Sequence, residues 1–305
     1  MVDTSTPYGQ AAAVLPTVWQ SVAEAISEDV KQRAEEFRLR CGQPLSILLD
    51  GEEHLLSGPH ISEDDLRAVL GKGSGYSVHS VYDQLCSGFL TLRGGHRIGI
   101  CGEAVTKSGT VCGVRTISSL SIRIARSVET AGESVLETIL DQGGRPESTL
   151  ILAPPGAGKT TLLRDLIRRI SDGIGVRACR VGLADQRREV SALWEGQAQL
   201  DVGRQTDIMT DCSKAEAAQI LVRGMNPQII AMDEITAEED LEALLWAAGC
   251  GVTVLASAHG EGVESLMRRP LYRSLSESQV FSKLVTITQQ GGKRTFHTER
   301  WRTCV

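Results

Sequence analysis

With 305 residues the chain is long enough for two domains, each with its own core. Its formal net charge of −6 argues against a protein whose main business is coating nucleic acid, while leaving room for a local basic patch. The eight cysteines (41, 86, 101, 112, 179, 212, 250 and 304) form no C-x-x-C pair and no His–Cys cluster, so they imply neither a zinc site nor a disulfide framework and fit a reducing cytosol.

The opening stretch "MVDTSTPYGQAAAVLPTVWQ" lacks a basic start followed by an apolar core, and no run of about eighteen apolar residues occurs further on. The expectation is a cytoplasmic chain that neither enters an export route nor spans a membrane by itself. Next, "FRLRCGQPLSILLDGEEHLL" alternates like strands around an Asp50-Gly51 turn, and Ser62 with Asp65 reads as the N-terminal cap of a short helix, "EDDLRAVLG". "FLTLRGGHRIGICGEAVTKSGTVCGVRTISSLSIRIAR" is rich in β-branched residues and broken by glycine turns. Together these predict a smaller α+β N-terminal domain over residues 1–130, followed over 131–148 by a connecting helix and a Gly-Gly-Arg-Pro linker.

From residue 149 to 305 the period changes. "TLILA", "ACRVGLAD", "PQIIAMDE" and "GVTVLASAH" are short apolar runs bounded by turns, as buried parallel strands are. Capping boxes are read at Ser213 with Glu216 and at Thr236 with Glu239, each before a helix. The fold class is therefore α/β, with a mainly parallel, doubly wound sheet whose ligands gather at the carboxyl ends of the strands.

The first of those strand ends reads "APPGAGKTT", residues 153–161. Ala153, four residues, then Gly158, Lys159 and Thr160 is the phosphate-binding P-loop spacing with alanine in place of its first glycine. Gly156 and Gly158 allow backbone angles that turn successive N–H groups inward, so Ala153, Pro154, Pro155, Gly156, Ala157, Gly158, Lys159, Thr160 and Thr161 form the expected nucleotide cradle at a helix N-terminus. Lys159 would reach the β and γ phosphates and the Thr160 hydroxyl would ligate Mg²⁺. A plain strand-to-helix turn would not need this spacing, nor the helical repeat of Leu162, Leu163, Leu166 and Ile167 that follows. A second buried strand ends in two adjacent acids, with Asp233 expected in the Mg²⁺ shell and Glu234 expected to orient or deprotonate the attacking water. Asn226 is the sole asparagine and Pro227 follows it, so the Asn-Lys-x-Asp guanine reader is absent and ATP is the expected nucleotide.

With both anchors placed, the chain resembles the secretion ATPases of type II secretion, type IV pili and type IV secretion, a branch of the RecA-like P-loop ATPases of the AAA+ kind. The segments "FRLRCGQPL", "TLRGGHRIGICGEAV", "SIRIAR", "PPGAGKTTLLRDL", "VGLADQRREV", "RGMNPQIIAMDEI", "SAHG" and "LMRRP" together resemble the stage III sporulation protein AA family. Beside the catalytic Lys159 and Glu234 already placed, that resemblance implies that Asp185 and Glu189 of an acidic box help to position water or metal, with Glu189 counted as catalytic, although Gln186 stands where an acid is common. It implies a nucleotide-linked role for His259 of a histidine box, and phosphate-facing arginines supplied by the N-terminal domain and neighbouring subunits, with Arg97, Arg123 and Arg126 as candidates. It also implies a homo-oligomer, a hexameric ring by analogy, held at the membrane through partner proteins of a sporulation channel that it energises for assembly or transport. A nucleotide-switched scaffold with little turnover and a nucleic-acid motor remain the alternatives.

Overall fold

The computed structural model describes residues 3–75, 82–107, 109–126, 132–290 and 293–301. The chain forms two compact units, one of residues 1–126 together with 192–199, the other of 127–191 together with 200–305. The boundary read at residue 130 lies outside the described residues, the stretch 132–148 belongs with the second unit, and 192–199 belongs with the first.

In the first unit, helices α1 (Pro7–Ala12), α2 (Thr17–Glu24) and α3 (Glu28–Arg33) precede strands β1 (Ala34–Arg40), β2 (Ser46–Leu49) and β3 (Glu52–Leu55). Asp50 and Gly51 both take left-handed angles (φ 49° and 83°), the two-residue turn that joins β2 to β3. Helix α4 (Glu63–Gly73) starts with the expected box, the Asp65 N–H donating to Ser62 Oγ at 3.1 Å and the Ser62 N–H to Asp65 Oδ2 at 2.9 Å. Helix α5 (Tyr82–Cys86) leads into β4 (Phe89–Thr91), β5 (Arg97–Lys107) and β6 (Thr110–Arg123). The sheet runs β3-β2-β1-β6-β5-β4 with antiparallel neighbours, and Trp19, Phe37, Leu39, Ile47, Leu66, Ile98 and Ile122 fill its core. His96 is buried beneath it, its Nδ1 accepting the Ala125 N–H at 3.0 Å; burial pushes the imidazole down to about 4, so it stays neutral.

The second unit opens with α6 (Glu133–Leu136), shorter than the helix expected there because the chain tightens into a 3₁₀ turn over Glu137–Ile139. Then come β7 (Thr149–Ala153), α7 (Lys159–Asp172), β8 (Val181–Ala184), β9 (Thr206–Met209), α8 (Lys214–Met225), β10 (Ile229–Met232), α9 (Glu238–Gly249), β11 (Thr253–His259), α10 (Val263–Met267), α11 (Pro270–Glu277), β12 (Lys283–Gln290) and β13 (Lys293–Arg300). The sheet order is β13-β12-β7-β11-β10-β8-β9, parallel throughout except for the antiparallel pair β12 and β13. Alternation along β7 divides the core: Leu150 and Leu152 pack with α8, α9 and α11, whereas Ile151 and Ala153 pack with α6 and α7. Helices on both faces of a parallel sheet are what such continuous apolar strands require.

Helix α8 begins with the expected Ser213–Glu216 box. The box at α9 is shifted from the reading above: Asp240, not Glu239, reaches back, its Oδ2 accepting the N–H groups of Thr236 at 2.9 Å and Ala237 at 3.1 Å. One extra residue of extended chain at Ala237 moves the helix start and brings a different carboxylate into range. Among the described residues no helix is long and apolar enough to cross a membrane.

Candidate functional site

Strand β7 ends at Ala153, and the chain turns through Pro154 to Gly158 into α7. Gly156 (φ 76°) and Gly158 (φ 101°) both take left-handed angles, the backbone conformation from which anion nests are built. A Cβ at Gly156 would meet nothing, so glycine serves conformation there; one at Gly158 would also come within 3.3 Å of the Arg294 guanidinium. Arg294 comes from β13, and no sequence signal pointed to it.

Lys159 is buried instead of reaching freely outward. Its Nζ donates to the carbonyls of Ala153 at 3.2 Å and Pro154 at 3.3 Å and lies 2.6 Å from His259 Nδ1. His259 Nε2 in turn lies 3.1 Å from Glu234 Oε1. A lysine on one ring nitrogen and a carboxylate on the other assign the imidazole proton to Nε2, giving a chain Lys159–His259–Glu234. Burial lowers the lysine pKa, opposed by the charges of Glu234 and Asp233.

The Thr160 hydroxyl donates to Asp233 Oδ2 at 3.2 Å, and Ser257 Oγ donates to Asp233 Oδ1 at 3.1 Å. Asp233 is pushed up to about 6, first by burial and then by the charges of Asp185 and Glu189, against the pull of the Ser257 and Thr160 hydrogen bonds. The two acids diverge, but not through the strand alternation that sends neighbouring side chains to opposite faces. Glu234 lies beyond the strand in a left-handed turn (φ 41°), and the turn sends its carboxylate to His259 while Asp233 faces Thr160.

Asp185 fills a different place from the one expected. It is buried after β8, and its two oxygens accept the N–H groups of Glu189, Val190 and Ser191 and the Ser191 hydroxyl at 2.6 to 3.1 Å. A carboxylate so committed folds the loop and has little capacity left for a metal. Arg164 of α7 grips the same loop from below, donating to the carbonyls of Val190 at 2.5 Å and Glu189 at 2.8 Å. Glu189 itself lines the cavity.

That cavity, about 300 Å³, is lined by Gly156, Gly158, Lys159, Thr160 and Thr161, with Arg294 against Gly158, and across from them by Glu189, Asp233, Glu234 and His259. Behind the acids a second cavity of about 50 Å³ lies among Asp185, Gln186, Arg187, Glu189, Lys214, Asp233, Glu234 and Thr236. The expected arginines belong to the other unit. There Arg97 stacks 3.8 Å above the Phe89 ring, Arg123 Nε donates to the buried Glu36 at 2.9 Å, and Arg126 donates to the carbonyls of Ala34 and Lys31.

A family model described as "Sporulation stage III, protein AA" matches residues 10–298. The chain belongs to that family. Stage III sporulation protein AA of Bacillus subtilis (strain 168) is 35% identical over 285 residues, spanning 93% of this chain and 92% of that protein. Among solved structures, the Yersinia pseudotuberculosis ATPase DotB is similar at a TM-score of 0.58 and 16% identity, over 90% of this chain and 78% of that one. The pilus retraction motor PilT, with bound ADP, is similar at a TM-score of 0.58 and 17% identity, over 89% and 81%. This sporulation family member thus has the fold of the secretion ATPases, a P-loop core preceded by an N-terminal domain.

Four side chains of the site carried no sequence signal: Arg164, Lys214, Ser257 and Arg294. Lys214 stood inside a recognised capping box, where it reads as an ordinary first-turn residue.

Proposed function

We propose that the chain is a Mg²⁺-dependent ATPase subunit that assembles into a ring, a hexamer by family analogy, and docks on membrane proteins of a sporulation channel from the cytoplasmic side. Turnover would energise assembly of, or transport through, that channel. The observation carrying this reading is the meeting of two contacts over one glycine nest, Thr160 on Asp233 and Lys159 through His259 to Glu234.

Residues 153–161 fit a polyphosphate: two left-handed glycines precede a helix N-terminus, and the Lys159 ammonium, now on two loop carbonyls and His259, stands at the same turn. The pair Thr160 and Asp233 fits Mg²⁺: a hydroxyl and a buried carboxyl within 3.2 Å, the latter raised to about 6 by burial and by the charges of Asp185 and Glu189, which a cation would offset. When bound, Mg²⁺ would supply charge neutralisation at the phosphoryl oxygens. Glu234 would accept the proton of the attacking water, and His259 would hold that carboxylate in place and release Lys159 to the phosphates as nucleotide enters. Glu189 would help orient the water. Arg294 would bind the nucleotide phosphates, and Arg97 and Arg123 would stabilise charge building on the γ-phosphoryl group.

The test is ATP hydrolysis by the full chain with and without Mg²⁺ over a protein concentration series, with particle size followed in parallel. Specific activity that rises with assembly supports a ring with shared sites. Tight nucleotide binding without turnover at any concentration would replace the motor with a nucleotide-switched scaffold, and strong stimulation by DNA or RNA would favour a nucleic-acid motor.

A further inference from the structure

Glu234 is held from both sides of its Cα. Its N–H donates to Ser257 Oγ at 3.1 Å, and its carbonyl accepts Lys214 Nζ at 2.5 Å. Between these grips the residue sits at φ 41°, a conformation that disfavours any side chain with a Cβ and persists only where the surroundings impose it. Lys214 is the first residue of α8, and its side chain is 10% exposed. Burying an ammonium is costly unless each N–H finds an acceptor, and all three do. Besides Glu234 O they reach Thr236 Oγ1 at 3.0 Å and Asp240 Oδ2 at 3.0 Å, so the whole charge is committed to the loop over 234–240. The carboxylate it meets also gathers the N–H groups of Thr236 and Ala237, which makes Lys214 the hub of that turn.

We propose that Lys214 is a positioning residue for the reaction: by holding the Glu234 carbonyl it keeps that residue in the left-handed turn that aims its carboxylate at His259 and the phosphate cavity. The proposal rests on the reading of Glu234 as the group that activates water. Among the described residues Lys214 lines the 50 Å³ cavity behind the acids and an open groove of about 860 Å³ between α8 and α9, whereas the walls of the nucleotide cavity are other residues. It acts from behind, on the backbone, so its loss should reach turnover and leave nucleotide affinity in place. A lysine that merely stapled α8 to the next helix would have no need to select the one carbonyl belonging to the strained glutamate.

The experiment uses the full chain carrying Lys214→Met, which keeps the stem and removes the ammonium, alone and combined with Glu234→Gln. Lys214→Met should bind a non-hydrolysable ATP analogue within about threefold of wild type while kcat falls about 10- to 100-fold, the scale of a catalytic group displaced by about 1 Å. Added to Glu234→Gln it should lower the residual rate by less than about twofold, because both changes disable one group. A crystal structure of Lys214→Met should show Glu234 at negative φ with its carboxylate away from His259. An unchanged kcat, a full multiplicative loss in the double variant, or Glu234 still left-handed and on His259 would each overturn the proposal. If wild type itself fails to hydrolyse ATP, the ATPase reading falls, and the crystal structure still decides whether Lys214 sets the turn. Should Lys214→Met not fold, Lys214→Gln, which keeps one short donor, is judged by the same two readouts.

Discussion

The two walls of the nucleotide cavity are made of different material. On the P-loop wall the lining groups belong to one continuous turn from β7 into α7, shaped by two left-handed glycines. On the opposite wall they are carboxylates on two separate loops, and each loop is pinned by a buried cation from elsewhere: Arg164 on the carbonyls of Glu189 and Val190, Lys214 on the carbonyl of Glu234. A backbone nest needs only the right residues in sequence and tolerates change around it. A set of buried, crowded acids is held by long-range partners, and burial first and the neighbouring charges second raise the carboxyl of Asp233. Changes on the first wall should therefore alter how tightly nucleotide is held, and changes on the second should alter what happens to it.

The sharpest way to break that division is Glu234→Gln, which should bind ATP normally yet lose about 10² to 10⁴ in single-turnover rate, the usual contribution of a positioned base. Hydrolysis within a factor of a few of wild type would remove Glu234 from the chemistry. Next in size, Lys159→Ala should weaken binding of a fluorescent ATP analogue about 10²-fold, the scale of a lost charge-assisted hydrogen bond together with its field at the phosphates. Unaltered affinity would mean that Lys159 stays on His259 and the loop carbonyls when nucleotide arrives.

Acid should separate the walls without mutation. Because Asp233 is raised from 3.8 to about 6, Mg²⁺-dependent affinity should fall about tenfold per pH unit as pH drops below 6, while Mg²⁺-independent nucleotide binding changes little. The same shift has a stability sign. A carboxyl raised in the folded chain stabilises it below the unfolded value of 3.8, and that contribution is lost as pH rises through about 6. Metal-free Asp233→Asn should accordingly melt higher than wild type at pH 7.5 by scanning calorimetry, with the gap closing toward pH 4. A gap that widens on acidification would reverse the assignment. The smallest expected effect is that of Arg294→Ala, about a 3- to 10-fold rise in KM with kcat nearly kept, as for one exposed charged donor to phosphate. A kcat loss exceeding the KM change would move Arg294 to the catalytic wall.

The same contrast explains what could be read in advance. Strands β7, β8, β10 and β11 announce themselves as buried apolar runs, and the P-loop is a local pattern whose meaning lies in adjacent residues. Strand β9 is four half-buried residues, too short to show a period, and β12 with β13 mixes threonine, glutamine and charged residues across an edge hairpin. The cost of missing that hairpin was Arg294. Ser257 was hidden because a strand serine among alanines is ordinary in a buried strand, and its use emerges only when β11 pairs with β10 and brings it beside Asp233. The turn that parts the two neighbouring acids was not legible, because nothing in "MDEI" marks a positive φ at a glutamate.

Residues 192–199 follow the loop that carries Glu189, yet they complete the first unit, where Gln199 Oε1 accepts the Gly94 N–H at 2.9 Å. The order of synthesis gives this arrangement a consequence. A ribosome that has finished residue 126 has not finished the first unit, which waits until the P-loop, α7 and β8 have also emerged. In this chain the N-terminal unit is completed only after much of the next has been made. A nascent polypeptide halted before residue 192 would hold the complete phosphate loop while its first unit still lacked a piece, and a cut within 127–131 would leave that piece on the C-terminal fragment, away from the rest of its own unit.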